Sequence, residues 1–232
     1  MVMDFLALGE RLAMVQDGIR HHQALGGWTH PVKIVAVTKT HGPEAVRAAV
    51  LAGIPDVGEN RVQEALAKQA QCAGVPARWH LIGSLQRNKA RQVVGGKFSL
   101  VHSVDRLDLA EELNQRQLGL GGRQPVLVEV NCSGEAQKGG VEPDLLPLLL
   151  DAMRHLEGLD LQGLMTMAAL TADERVQRRS FALLRRLRDT MQAAGHPGTE
   201  LSMGMSGDYT VAVQEGATMI RLGTLLFGER SP

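Results

Sequence analysis

Lys39 closes the apolar run "VKIVAVTKT" (residues 32–40). An ammonium at the end of so apolar a stretch is costly unless a partner neutralises it or chemistry uses it. A lysine held away from water loses its proton, and its free amine attacks carbonyl carbon. Much later, "SMGMSGDYT" (202–210) and "RLGTLLFGER" (221–230) place Ser206 and Gly207, then Gly223 and Thr224, where strands give way to helices. Small residues there let an anion approach free backbone N–H groups. Each feature also has a plainer reading. A strand-end lysine often snorkels to solvent or pairs with a carboxylate, and Gly and Ser also build tight turns.

An amine nucleophile and a phosphate site in one place suit a phosphorylated aldehyde. Pyridoxal 5′-phosphate (PLP) is one; the sugar phosphates of Schiff-base aldolases are others. Arg221, inside the apolar run "MIRLG", bears on the choice. A guanidinium cannot shed its charge, so it must be paired or hydrogen-bonded there. It is either half of a structural salt bridge or the partner of a PLP pyridine nitrogen. In the second role it keeps that nitrogen unprotonated, which makes the cofactor a weak electron sink.

These residues must be positioned by regular elements. Eight β-rich runs recur: "KIVAVTK" (33–39), "DVGE" (56–59), "WHLIG" (79–83), "LVHSV" (100–104), "PVLVEVN" (125–131), "LQGLMTM" (161–167), "ELSMG" (200–204) and "TMIRLG" (218–223). Helical runs separate them. "PEAVRAAVLAG" opens on Pro43 and stops at Gly53, "SLQRNKARQVVGG" (84–96) stops at a Gly pair, and "DRLDLAEELNQRQLG" offers Asp105 as its N-cap. Strands that alternate with helices imply a parallel sheet, and apolar strands imply burial on both faces. Eight such units favour one closed (β/α)8 barrel over residues 1–232, with an open doubly wound sheet as the alternative. Barrel chemistry gathers at the C-terminal ends of strands. The polar or small residues expected there are Lys39, Glu59, Asn60, Gly83, Ser84, Asn131, Thr166, Ser206, Gly207, Arg221, Gly223 and Thr224.

Composition removes several alternatives. Formal net charge is zero and aromatic residues are 3% of the 232, which argues against a nucleic-acid surface. No apolar run approaches a membrane span. The start, "MVMDFLALGERLAMVQDGIR", carries Asp4 and Glu10 and reads as an extra amphipathic helix, not an export signal. Cys72 and Cys132 have no metal-type spacing. A reduced, cytoplasmic setting without a metal is expected.

The stretches "VAVTKTHGPEAV", "DVGENRVQEA", "WHLIGSLQRNK", "VHSVD", "VEVN", "KGG", "GLMTM", "LSMGMSGDY" and "GATMIRLGTLLFGER" resemble the YggS/PROSC family of PLP-binding, PLP-homeostasis proteins. That family shares the barrel of the alanine racemase N-terminal domain. The resemblance runs from about residue 32 to 230 and implies Lys39 as the Schiff-base lysine. It implies Ser206, Gly207, Gly223 and Thr224 around the phosphate, Arg221 at the pyridine nitrogen and Asn60 near the cofactor. "VTKT" replaces the commoner "VSKT", and "MTMAAL" (165–170) lacks a proline often found there. Alanine racemase adds a second domain and a tyrosine from its partner subunit. Here Tyr209 is the only tyrosine, and it reads as a packing residue. His41 and His80 read as loop, supporting or core residues. Racemisation needs groups on both faces of the α-carbon, and only Lys39 offers itself. The expectation is therefore a monomeric PLP carrier with no catalytic residue, which releases cofactor to apo-enzymes and tunes vitamin B6 and amino-acid pools. A weak amino-acid racemase is the alternative.

Overall fold

A computed structural model describes residues 5–228. The chain opens with α1 (Phe5–Gly26) and then alternates strands and helices. The strands are β1 (Lys33–Val37), β2 (Asp56–Glu59), β3 (Arg78–Leu81), β4 (Leu100–Val104), β5 (Gln124–Glu129), β6 (Leu159–Met165), β7 (Glu200–Met205) and β8 (Met219–Leu222). They pair in parallel in that order and close β8 onto β1, with Val35 opposite Arg221. The helices are α2 (Pro43–Leu51), α3 (Val62–Gln71), α4 (Leu107–Leu118), α5 (Leu146–Met153), α6 (Glu174–Ala193), α7 (Tyr209–Gln214) and α8 (Thr224–Phe227). The expected closed barrel is present, and the open sheet is excluded. The Glu229 and Arg230 end of the last quoted motif lies outside the described residues.

Several helical expectations are corrected. Residues 84–96 form only a 3-10 turn, Arg87–Gln92, whose buried Ala90 is followed three residues on by the buried Val93 that caps it. Asp105 does not cap α4; Arg106 holds that position, and Asp105 pairs with it instead. Between β5 and β6 the chain makes a 3-10 turn, Pro143–Leu145, and begins again as α5, because Pro147 has no N–H to continue the ladder.

The strands alternate with a period of two, and this phase positions everything that follows. In β1, Lys33 lines a cavity at the N-terminal face, Val35 packs inside the barrel, and Val37 and Lys39 line the cavity in the opposite mouth. In β5 the same phase runs Pro125, Leu127, Glu129, and in β8 it runs Met219, Arg221, Gly223. The large apolar core lies between sheet and helices, while a small cluster of Val35, Leu100, Leu127, Met165 and Met219 fills the barrel interior. No helix among the described residues is long and apolar enough to cross a membrane.

Candidate functional site

All seven residues singled out as cofactor contacts line one cavity of about 370 Å³ in the barrel mouth: Lys39, Asn60, Ser206, Gly207, Arg221, Gly223 and Thr224. That volume lies within the range that holds small ligands. Lys39 is half-buried just beyond β1. Thr40 follows at φ +69°, a left-handed conformation that is strained for a β-branched residue. The His41 N–H closes this turn onto the Thr38 carbonyl at 3.1 Å. Thr38 points the other way and is clamped: its hydroxyl donates to Glu59 Oε1 at 2.6 Å, and Lys68 Nζ donates to the same oxygen at 2.5 Å and to the Thr38 carbonyl at 2.8 Å. A buried ion pair behind the strand thus fixes the backbone that presents Lys39.

Beside β1, across the closure of the barrel, β8 and β7 end side by side. The Ser206 hydroxyl accepts from the Gly223 and Leu225 N–H groups, each at 3.3 Å, which ties the two loops together. Among the described residues the Gly207 and Thr224 N–H groups donate to no acceptor. A Cβ built on Gly207 would meet nothing within 4 Å. Open space beside uncommitted N–H donors and two hydroxyls is a donor set suited to a phosphate.

Arg221, on β8 opposite Val35 of β1, lines the same cavity and is 4% exposed. It donates from Nη1 to Ser202 Oγ at 2.7 Å and from Nη2 to the Thr166 carbonyl at 3.0 Å. Burial pulls its pKa down to about 10, opposed by the charges of Asp208 and Glu129, so it remains a cation at neutral pH. Val37, Ile82, Met167 and Met205 supply apolar walls for a flat ring. Asn60 reaches the cavity because Gly83 lets the chains touch: a Cβ at Gly83 would come within 2.4 Å of the Asn60 carbonyl oxygen.

Not every polar strand end faces the cavity. Glu59 and Thr166 are buried in the wall, and Asn131 is tied to Glu135, Glu142 and Ser133. His41 does line the cavity, with its ring against Phe227 at 5.3 Å between centroids. His80 is 2% exposed inside the barrel. The Tyr209 hydroxyl lies against α1, where a Cβ on Gly18 would meet it at 2.5 Å. Sequence reasoning missed Glu129, which lines the cavity at 3% exposure, with no hydrogen-bond partner for its carboxyl among the described residues. Burial, and then the charge of Asp105, push its pKa up to about 7 against the pull of Arg221. The signal was a carboxylate in the phase of Pro125 and Leu127. The same run offers Asn131 in the same phase, two residues further on.

The amine, the phosphate-type donors, the ring-level guanidinium and the apolar walls fit a phosphorylated aromatic aldehyde. The alanine racemase N-terminal domain model matches residues 17–231. The chain is 45% identical over 225 residues to a pyridoxal phosphate homeostasis protein of Pseudomonas aeruginosa, with 96% of each chain covered. It is 41% identical to one from Aquifex aeolicus, covering 95% of this chain and 97% of that one. Among solved structures, PipY of Synechococcus elongatus with PLP bound superposes with a TM-score of 0.80 at 38% identity, over 95% of this chain and all of that one.

Proposed function

This chain belongs to the alanine racemase N-terminal domain family, and from that premise we propose that it is a PLP-binding protein of intracellular PLP homeostasis. One observation carries the reading: Lys39, Arg221 and the two loops after β7 and β8 converge on one cavity of about 370 Å³. When bound, PLP supplies an aldehyde that an amine captures reversibly and a ring that withdraws electrons. Lys39 is the amine that takes the aldehyde carbon. The Ser206 and Thr224 hydroxyls and the Gly207 and Thr224 N–H groups hold the phosphate, and Gly223, without a side chain, leaves room for it. Arg221 donates to the ring nitrogen and keeps protons off it, while Asn60 borders the cofactor. A cationic neighbour at that nitrogen weakens the electron sink and favours storage over turnover. The protein acts as a monomer in the cytoplasm and releases PLP to apo-enzymes.

The test is colour and covalency. The purified protein should absorb in the visible, and borohydride should fix a pyridoxyl group on the peptide carrying Lys39. A colourless protein that fails to take up added PLP would defeat the reading.

A second reading, weak amino-acid racemisation, is favoured by Glu129. In an eight-stranded closed barrel β5 stands opposite β1, so a carboxyl titrating near neutral pH faces Lys39 across the mouth. Such a pair could move a proton on each side of an α-carbon. Exchange of the α-proton of amino acids in deuterated water, lost in Glu129→Gln while the visible absorbance is kept, would establish it. No exchange in the native protein would leave the storage reading alone.

A further inference from the structure

Arg221 is not held by Ser202 alone. Ser202 Oγ is 2.9 Å from His102 Nδ1, His102 Nε2 is 2.9 Å from His80 Nδ1, and His80 Nε2 is 2.9 Å from Asp56 Oδ1. Asp56 begins β2 at the N-terminal face, where Arg78 binds both of its oxygens. The chain therefore crosses the barrel interior from one end to the other, through His102, Ser202, His80 and Asp56, all at most 3% exposed.

With both imidazoles neutral, the Asp56 end directs every proton along it. A guanidinium only donates, so Ser202 accepts from Arg221 and has its own proton left to give. At the other end Asp56 is held ionised, well below the usual carboxylate range. Burial opposes this, and Arg78 and His80 overcome it. A carboxylate only accepts, so His80 carries a proton on Nε2. Burial lowers the pKa of both histidines; Lys33 and Arg78 add to this at His80, and His80, Arg221 and Lys33 add to it at His102, while Asp56 opposes it at His80. A neutral imidazole has one proton. His80 Nδ1 is then an acceptor, His102 donates to it from Nε2, and His102 Nδ1 receives the Ser202 hydroxyl. The Arg221 end is compatible with this assignment, because Ser202 accepts from Arg221 and keeps its own proton to give, so each junction holds one proton. The other charges facing Arg221 are Asp208 and Glu129.

We propose that Asp56, His80, His102 and Ser202 form a one-directional hydrogen-bonded strut that positions Arg221 and sets its donor strength toward the bound ring, so that the N-terminal face of the barrel influences cofactor binding at the mouth. The four are positioning residues. The proposal rests on the cavity being the PLP site, but the strut itself exists without cofactor.

The first arm of the test uses cofactor-free protein labelled with 15N-histidine. Both imidazoles should be neutral with the proton on Nε2 at neutral pH and above, and both should hold that state to lower pH than a free histidine does. A proton on Nδ1 of either ring, or a charged ring at neutral pH, would overturn the strut whatever the cofactor does. The second arm measures PLP binding. Asp56→Asn keeps an acceptor for His80 and removes the charge, far from the cavity. It should weaken binding by about threefold or more, the size of modest remote couplings. Ser202→Ala cuts the strut next to Arg221, and after it Asp56→Asn should add little. Unchanged binding in Asp56→Asn, or additive losses in the double variant, would overturn the coupling. Should Asp56→Asn not fold, Arg78→Gln serves instead, since that side chain is 55% exposed and its loss alters the charge on Asp56. Native protein that binds no PLP at all would defeat the site reading and leave the first arm standing.

Discussion

The two ends of the barrel interior use polar residues in opposite ways. From the N-terminal face inward, Asp56, His80, His102 and Ser202 are bonded to one another, and Arg78 closes the set at that face. At the mouth, the Gly207 and Thr224 N–H groups and the Glu129 carboxyl have no partner among the described residues, and Thr40 is strained. The same strands build both ends, only a few residues apart: Lys33 and Lys39 in β1 and its extension, Met219 and Gly223 at β8. Buried polar groups are normally satisfied. Capacity left open therefore marks the end that meets a ligand, and complete pairing marks the end that supports it.

The largest effect expected separates function from stability. Lys39→Ala should abolish borohydride fixation of PLP entirely while changing unfolding free energy by less than about 1 kcal/mol, as for a half-buried side chain outside the core. A large loss of stability in urea titration would mean that the mouth is structural after all. Next is the clamp behind it. Lys68→Met leaves Glu59 buried without its countercharge, and removing one partner of a buried pair costs about 3–5 kcal/mol. PLP retention should fall with it, because Thr38 is released beside Lys39. A variant as stable as the native protein would show that the pair does not hold the strand end.

The third effect has a sign that differs between the two ends. The Glu129 pKa is raised from 4.5 to about 7 in the fold. Between those values the unfolded chain binds fewer protons, so stability falls as pH rises through that window, by up to about 3 kcal/mol. Glu129→Gln should remove the decline. His80 and His102 are lowered from 6.5, so below that value the unfolded chain binds more protons and stability falls as pH drops. Between pH 4.5 and 7 the two contributions oppose each other, and Glu129→Gln should remove the one that falls with rising pH while the histidine contribution of opposite sign is kept. A pH dependence of the denaturant midpoint unchanged in Glu129→Gln would assign the declining part to another group.

Strand phase explains what could be read from residues alone. The β/α alternation and the ends of β2 and β4 were legible because each strand is a short β-rich run bounded by turn-forming residues. Lys39 and Arg221 stood out as charges in apolar runs. Glu129 did not, since "PVLVEVN" offers two polar residues in one phase and the turn to the following loop decides which faces the cavity. Asn131 is drawn away by Glu135, Glu142 and Ser133. The chain from Ser202 to Asp56 was illegible for a different reason: it joins β7, β4, β3 and β2, and only barrel closure and register bring these four side chains into line. The missing helix at 84–96 is the same lesson at short range, because packing selected a 3-10 turn where composition favoured a helix.

The smallest effect sharpens the comparison at a residue two positions beyond the proposed phosphate loop. Tyr209 begins α7 and follows Gly207 and Asp208 in sequence, so proximity alone makes it a candidate acid–base group. Its hydroxyl instead reaches α1 beside Gly18, and burial raises its pKa above the ordinary tyrosine value, which suits neither a base nor a proton shuttle at neutral pH. Tyr209→Phe removes one hydroxyl with no hydrogen bond among the described residues, so stability should shift by less than about 1 kcal/mol. Visible absorbance, PLP affinity and any α-proton exchange should be unchanged. A loss of exchange with affinity intact would move the proton-handling group from Glu129 to the α7 side of the mouth. Unchanged exchange in Tyr209→Phe, set beside its loss in Glu129→Gln, would place the acid–base capacity of the mouth at the end of β5, across from Lys39.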